Sequence, residues 1–178
     1  MSNHKNLIPA GTVTFLKLII LPGGHDDPSQ GWSNGLATVS STGSVYIRAE
    51  CSVIEGRHIG KKFEIRIGLK SPKGPWWRKR GRELILGILN SKHELAKNEN
   101  SAKALLGRRL KSLKELDCSK FQANIKISKD YRGYDINEID EVILPNDRET
   151  EIQSPRLRQT DLTTKLTSEA NAPMWMRN

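Results

Sequence analysis

The sequence predicts a mainly β domain with one or two helices, and a disordered tail at its C-terminal end. Five segments between residues 11 and 145 have the alternating or continuous apolar pattern of strands, and one segment has the apolar spacing of a helix. The apolar fraction of 36% and the mean hydropathy of −0.56 are low for a chain of 178 residues. Part of the chain is therefore expected not to fold compactly.

The first predicted strand, GTVTFLKLIIL, occupies residues 11–21 and is apolar on both faces toward its end. Its Phe15–Leu21 run is too short to span a bilayer, contains Lys17 and lacks a small-residue cleavage site. A buried strand is therefore preferred to a signal peptide. Residues 1–10 before it are expected to be flexible. Residues 23–44 after it are rich in Gly, Ser, Asp and Pro and are expected to form a loop.

A β-hairpin is predicted next, with two alternating strands joined by the turn EGRHIGKK. The residues expected to face the core are Val45, Ile47, Ala49, Cys51, Val53, Phe63, Ile65, Ile67 and Leu69. The residues expected on the opposite face are Tyr46, Arg48, Lys62, Arg66 and Lys70. The outer face of the hairpin is therefore predicted to be basic.

A helix is predicted from about Trp77 to Asn90, with an apolar stripe formed by Leu84, Ile85, Ile88 and Leu89. The helical insert covers residues 78–116, with a second short helix near Ala102. A third alternating strand, KFQANIKISKD, is expected to bury Phe121, Ala123, Ile125 and Ile127. The last strand follows a turn at Arg132–Gly133 and ends at Pro145.

The predicted order of three strands, a helical segment and two strands is that of the OB-fold, a five-stranded partly open barrel. OB-folds commonly bind oligonucleotides across their second and third strands, which here form the basic hairpin. The sequence therefore predicts an OB-fold-like nucleic-acid-binding domain in residues 11–145. Residues 146–178 lack core periodicity and are predicted to be a disordered tail.

The positive charge is concentrated in one part of the chain. There are 29 Lys and Arg and 20 Asp and Glu, which gives a net charge of +9. Ten basic residues and one acid, Glu64, lie between Arg57 and Arg82. The rest of the chain therefore holds 19 basic and 19 acidic residues. Four of the ten lie in the first two turns of the predicted helix, where the dipole disfavours each by about 0.3–1 kcal/mol. Because a solvated face normally mixes both signs, the cluster indicates an anion-binding surface.

Two adjacent tryptophans, Trp76 and Trp77, stand between the hairpin and the helix. Adjacent residues cannot point in the same direction. We therefore expect one to pack at the helix start and the other to be available for base stacking, and the sequence does not distinguish them. Tyr46 is a further stacking candidate, whereas Tyr131 and Tyr134 flank a turn and are interpreted as structural.

Nothing in the sequence indicates catalysis, a metal or a cofactor. No P-loop, GxSxG, HExxH or Cys/His pair occurs. The two cysteines, Cys51 and Cys118, match neither a disulfide framework nor a zinc site, which fits a reducing cytoplasm. The basic residues lie on predicted strands and a turn rather than on an amphipathic helix, so nucleic acid is preferred to a membrane as the partner.

A resemblance to a known family is carried by three segments: VYIRAECSVIEGRHIGKKFEIRIGLKSP, GRELILGILNS and LKELDCSKFQANIKISKDYRGYDINEIDEVI. They are similar to small OB-fold proteins of phage and prophage recombination clusters, many long described only as a domain of unknown function. The resemblance covers roughly residues 11–145 and is most specific in residues 45–143. It implies single-stranded DNA binding in replication or recombination without catalysis. It also implies the cytoplasm of a bacterial host and recombination or replication proteins as partners.

The chain departs from the family pattern in three places. These are the loop at 23–44, a charged insert at 91–112 and the C-terminus, APMWMRN. Bacterial single-stranded-DNA-binding proteins usually recruit partners through an acidic end, which this C-terminus lacks. The resemblance therefore does not imply partner recruitment by that route.

The residues predicted to bind nucleic acid are Tyr46, Arg48, Arg57, Lys61, Lys62, Arg66, Lys70, Lys73, Trp76, Trp77, Arg78, Lys79, Arg80 and Arg82. No catalytic residue, metal ligand or cofactor is predicted. The alternative is a structural or assembly protein that uses the same basic face on RNA or on an acidic protein. A third possibility is an inhibitor that occludes a host nucleic-acid enzyme. The sequence also leaves open whether the protein forms a homo-oligomer.

Overall fold

A computed structural model describes residues 7–145, which form one antiparallel sheet of seven strands and two α-helices. The strands are β1 (Thr12–Leu21), β2 (His25–Asp27), β3 (Trp32–Val39), β4 (Val45–Val53), β5 (Lys62–Lys70), β6 (Lys120–Lys129) and β7 (Asp135–Ile143). The helices are α1 (Trp76–Lys92) and α2 (Ala102–Gly107), and short 3-10 turns occupy Pro28–Gln30 and Leu113–Leu116. The five predicted strands and both predicted helices are confirmed. The predicted tail, from Asn146, lies outside the described residues.

The sheet is built around β4. One edge of β4 pairs with β5 along almost its whole length. Its other edge pairs with β3 at Val45–Ile47 and with β1 at Arg48–Val53. Because β1 pairs with β6 and β6 pairs with β7, the long strands are ordered β5-β4-β1-β6-β7. Within residues 7–145, β5 and β7 are not paired, so the sheet is not closed.

Helix α1 lies across the gap between β5 and β7. On the β5 side, a Cβ atom at Gly81 would collide with the carbonyl oxygen of Gly68, so only glycine permits this close approach. On the β7 side, a Cβ atom at Gly87 would lie 3.0 Å from the side chain of Val142. The helix therefore covers the open seam of the sheet.

The core follows the predicted alternation. The buried side chains of β4 and β5 are Val45, Ile47, Ala49, Cys51, Val53, Ile65, Ile67 and Leu69, while Phe63 is half-buried against them. From α1, the core receives Ile85, Ile88 and Leu89, and Leu84 packs against it half-buried. In the part of the chain that the structure describes, no helix is long and apolar enough to cross a membrane.

The prediction of a loop at residues 23–44 is wrong. Strands β2 and β3 pair as a hairpin, and β3 continues the sheet beside β4. Trp32, which is 1% exposed, and Ala37 supply the buried residues of this hairpin. Glycines of this hairpin adopt the positive φ that its turns require, as at Gly35. The N–H of Gly35 donates to the Asp26 carboxylate at 2.7 Å. A composition rich in Gly and Ser therefore concealed two strands.

Two further expectations need correction. Ile8 is 1% exposed and exchanges two hydrogen bonds with the side chain of Asn137, at 2.8 and 2.7 Å, so the expected flexibility does not hold for residues 7–10. Ile127, predicted to be buried, is 40% exposed. The reason is that β1 pairs with β6 only as far as Ile125, and the following residues of β6 extend beyond it.

Candidate nucleic-acid interface

The outer face of the β4–β5 hairpin is less positive than its cations suggest. The guanidinium of Arg48 lies 3.5 Å from the carboxylate of Glu64, and the Lys62 ammonium lies 2.8 Å from that of Glu50. Surface ion pairs of this kind contribute only about 0–1 kcal/mol to stability, but they lower the net charge of the middle of the face. These two predicted site residues therefore have acidic partners on the neighbouring strand.

Two other predicted cations contact backbone oxygens. The ammonium of Lys61 donates to the carbonyl of Leu7 at 3.0 Å. The guanidinium of Arg80 donates to the carbonyls of Ile139 and Asp140, both at 3.4 Å, which ties α1 to β7. Both side chains thus support the fold, and Arg82 is half-buried on the same helix.

Trp77 is the tryptophan that packs at the helix start. Its indole and carbonyl lie over Gly68, where an added Cβ atom would be 2.7–2.9 Å from them. Its ring is 5.7 Å from that of Tyr46, at an interplanar angle of 46°. The guanidinium of Arg66 also lies over the Tyr46 ring, 5.6 Å from its centre. The Tyr46 ring is therefore half-buried between two neighbours on the outer face.

Trp76 is exposed over 72% of its surface, so the expected division between the two tryptophans is present. Four cations lie close to it in the chain, on the end of β5, the connection and the first turn of α1: Lys70, Lys73, Arg78 and Lys79. None of the four makes an ion pair with a carboxylate among residues 7–145. We call Trp76 and these four cations the basic junction.

The start of α1 adds to the positive potential of the basic junction. The N-cap residue is Pro75, which provides no side-chain hydrogen bond, and the first turn contains no acid. The uncapped N–H groups and the positive end of the dipole therefore point toward the same region. The pKa of nearby Asp27 is lowered mainly because the Ser29 hydroxyl donates to its carboxylate, with a smaller contribution from the charge of Lys70.

Two shallow open grooves flank the connection between β5 and α1. One, of about 360 Å³, is lined by Thr42, Ser44, Ser71, Lys73, Gly74, Pro75, Trp76 and Trp77. The other, of about 270 Å³, is lined by Lys70, Ser71, Gly74, Pro75 and Arg78. No carboxylate is among the described residues that line them. Such grooves provide hydroxyl and amine donors beside an exposed indole.

The sequence interpretation missed the turn between β3 and β4 as part of this surface. Thr42 and Ser44 were placed in a presumed loop, but Ser44 adjoins Val45, which pairs with Lys70, and both residues line the groove beside Trp76. Arg57, by contrast, is exposed in the turn at the other end of the hairpin, away from the basic junction. A scan against models of protein families found no match to this chain, and a search of curated proteins found no significant match.

Proposed function

We propose that the protein binds single-stranded DNA without catalysis, and that the basic junction is its primary contact. The observation that carries this proposal is the 72% exposure of Trp76 beside four cations that make no ion pair with a carboxylate among the described residues. An exposed indole is suited to stack on an unpaired base at about 1–3 kcal/mol per base. The cations are suited to hold the adjoining phosphates.

The resemblance to phage and prophage proteins favours a role in replication or recombination. In this proposal Trp76 contacts a base, and Lys70, Lys73, Arg78 and Lys79 contact phosphates. Trp77 and Tyr46 support the position of α1 and of the connection before it. The grooves lined by Thr42 and Ser71 have room for the sugar and phosphate groups that follow the stacked base.

We also propose that the five long strands are those of an open OB barrel. Their order, β5-β4-β1-β6-β7, corresponds to OB strands three, two, one, four and five, and α1 lies between the third and fourth in the chain. Cα atoms of β5 and β7 approach within 8 Å, which is where an OB barrel would close. The β2–β3 hairpin is then an addition between the first two barrel strands.

The test is a titration of tryptophan fluorescence with oligo-dT, followed by competition with duplex DNA and structured RNA. We expect quenching by oligo-dT, because a base that stacks on Trp76 alters the environment of an exposed indole. Duplex DNA should compete weakly, because its bases are already stacked and paired. Absence of quenching and of binding at low salt would refute the proposal. A clear preference for structured RNA would instead favour the assembly-protein alternative.

A further inference from the structure

Helix α2 exposes two adjacent leucines. Leu105 is 50% exposed and Leu106 is 71% exposed, whereas every other leucine among residues 7–145 is buried or half-buried. Both lie three or four positions after the exposed Ala102, so the three side chains share one face of the helix. Single exposed leucines are ordinary on a protein surface. Two neighbours on one helical face form an apolar patch.

The opposite face of α2 is packed against the fold. Ala104 is fully buried, and a Cβ atom at Gly107 would lie 3.1 Å from the side chain of Leu95. The Ser101 hydroxyl caps the helix by accepting the N–H of Ala104 at 3.1 Å. A helix of six residues is not stable alone in water, so these contacts are what maintain α2.

Arg108 fixes α2 to its neighbours. Its guanidinium donates to the side-chain oxygen of Asn90 in α1 at 2.8 Å. It also donates to the carbonyls of Ala96 and Glu99, at 2.7 and 2.5 Å. The two leucines are therefore held outward by an anchored helix and not by a frayed end. This preorganisation lowers the entropic cost of using them in binding.

The border of the leucine pair is basic. Lys103 lies one turn before Leu106, and the N–H of Arg109 donates to the carbonyl of Leu106 at 3.1 Å, so the same turn ends at Arg109. Both cations are exposed, and neither makes an ion pair with a carboxylate among residues 7–145. We call Lys103, Leu105, Leu106 and Arg109 the α2 patch.

The acids near α2 in the chain are Glu94, Glu99, Glu115 and Asp117, and residues 101–112 contain none. The carboxylates of the last three accept hydrogen bonds within the fold, from the Ser101 hydroxyl and the N–H groups of Lys111 and Ile20. The pKa of Glu99 is lowered first by the Ser101 hydroxyl, and the charge of Lys103 adds a smaller contribution. Glu94 follows His93, which lies against Gly107 on the packed face of α2. The α2 patch therefore keeps a positive border.

We propose that the α2 patch binds an acidic segment of a partner protein. Apolar side chains of that segment would cover Leu105 and Leu106, and its carboxylates would pair with Lys103 and Arg109. The leucines supply apolar contact, and the cations select a partner of opposite charge. This surface is separate from the basic junction, because about 21 Å of helix α1 lies between Trp76 and Asn90. The inference therefore does not rest on the proposed function.

Other occupants fit the α2 patch less well. In a two-fold contact between copies of this chain, the basic border would face itself, and like charges oppose association. The C-terminal segment APMWMRN contains an arginine and no acid, so charge does not select it. Nucleic acid would find no ring to stack on. Among residues 7–145, the exposed Phe, Tyr or Trp are Trp76 and, contrary to their structural interpretation, Tyr131 and Tyr134, and none lies between α1 and β6.

The experiment selects random peptides displayed on phage against the full-length parent and the double variant Leu105→Ser, Leu106→Ser. Peptides that only the parent enriches should combine Asp or Glu with apolar residues. The most enriched peptide, labelled for anisotropy, should bind the variant about 10-fold to 150-fold more weakly for each leucine that it buries. The matched control is Val39→Ser, at a residue of β3 that is also 50% exposed, and it should bind the peptide like the parent.

A second variant tests the charges. Lys103→Glu, Arg109→Glu should bind the same peptide at least about 10-fold more weakly, because attraction becomes repulsion at both ends of the patch. A peptide with Lys in place of each acid should bind this variant better than it binds the parent. Circular dichroism verifies the folding of each variant, and both double variants should bind oligo-dT like the parent.

The other outcomes overturn the inference. Enrichment that does not depend on the leucines, or selected peptides that lack acids, would refute an acidic partner. Recovery of peptides similar to APMWMRN would assign the patch to the chain's own C-terminal segment. A smaller sedimentation coefficient of the leucine variant would assign it to self-association, and weaker oligo-dT binding would assign it to DNA. Absence of oligo-dT binding by the parent would refute the proposed function alone.

Discussion

The two adjacent tryptophans differ in burial, so a matched pair of substitutions should separate the proposed DNA binding from stability. Trp76 is 72% exposed, and surface substitutions usually change stability by less than about 0.5 kcal/mol. Trp76→Ala should therefore melt like the parent. It should also lose the energy of one stacked base, about 1–3 kcal/mol, which corresponds to a 5-fold to 150-fold weaker affinity for oligo-dT.

Trp77→Ala should give the opposite pattern. Removal of a core Trp costs about 3–5 kcal/mol, and a half-buried ring that covers Gly68 and contacts Tyr46 should cost roughly half as much. About 2 kcal/mol corresponds to a decrease in Tm of roughly 4–8 °C for a chain of this size. DNA binding should change less than in Trp76→Ala when both are measured well below Tm.

The assays are thermal unfolding by circular dichroism and anisotropy of a labelled oligo-dT, which does not depend on tryptophan emission. Trp76→Phe is a useful control, because a smaller ring should retain part of the stacking energy. If Trp76→Ala lowered Tm as much as Trp77→Ala, or if both variants bound oligo-dT like the parent, these two assignments would be refuted.

Three further predictions concern the fold. Gly81→Ala should destabilise the protein by about 1–3 kcal/mol in urea unfolding, because its Cβ atom would collide with the backbone of β5; an unchanged midpoint would contradict this close contact. Cys118, which is exposed, should react with a thiol reagent in the native protein, whereas Cys51 should react only after unfolding, since burial raises its pKa. Two fast-reacting thiols would disprove this. The pKa of Glu99 is lowered, mainly because the Ser101 hydroxyl donates to its carboxylate. The stability that this carboxylate contributes is therefore present above its pKa in the unfolded state. It is lost as the pH falls through its pKa in the folded state. The stability of the parent and Glu99→Gln should therefore converge in urea titrations below about pH 4, and a gap that widens with acid would contradict the assignment.

Much of the fold was readable because its signals are local. The period-two alternation of VYIRAECSV and FEIRIGLK identified β4 and β5, and the apolar stripe of α1 identified its buried face. The β2–β3 hairpin was missed because glycine at positive φ, as at Gly31 and Gly35, resembles loop composition. The burial of Trp32 depends on packing that no local pattern encodes.

The candidate site was less predictable, because the availability of each cation depends on strand register. Glu50 lies outside the basic cluster in sequence, but the pairing of β4 with β5 brings it to Lys62. Likewise, the choice between Trp76 and Trp77 depends on the space above Gly68, which only the approach of α1 defines. Counting charge along the chain therefore overestimated how many cations of the region are free of a partner.

The most direct test of the central claim is the salt dependence of oligo-dT binding by the parent protein. If four cations of the basic junction contact phosphates, log K should fall with log salt at a slope of about −3, since each contact to a single strand contributes about −0.7. Affinity should then decrease about 50-fold between 50 and 200 mM salt. A slope near zero, or no binding at the lower salt concentration, would contradict an electrostatic single-strand interface at this junction.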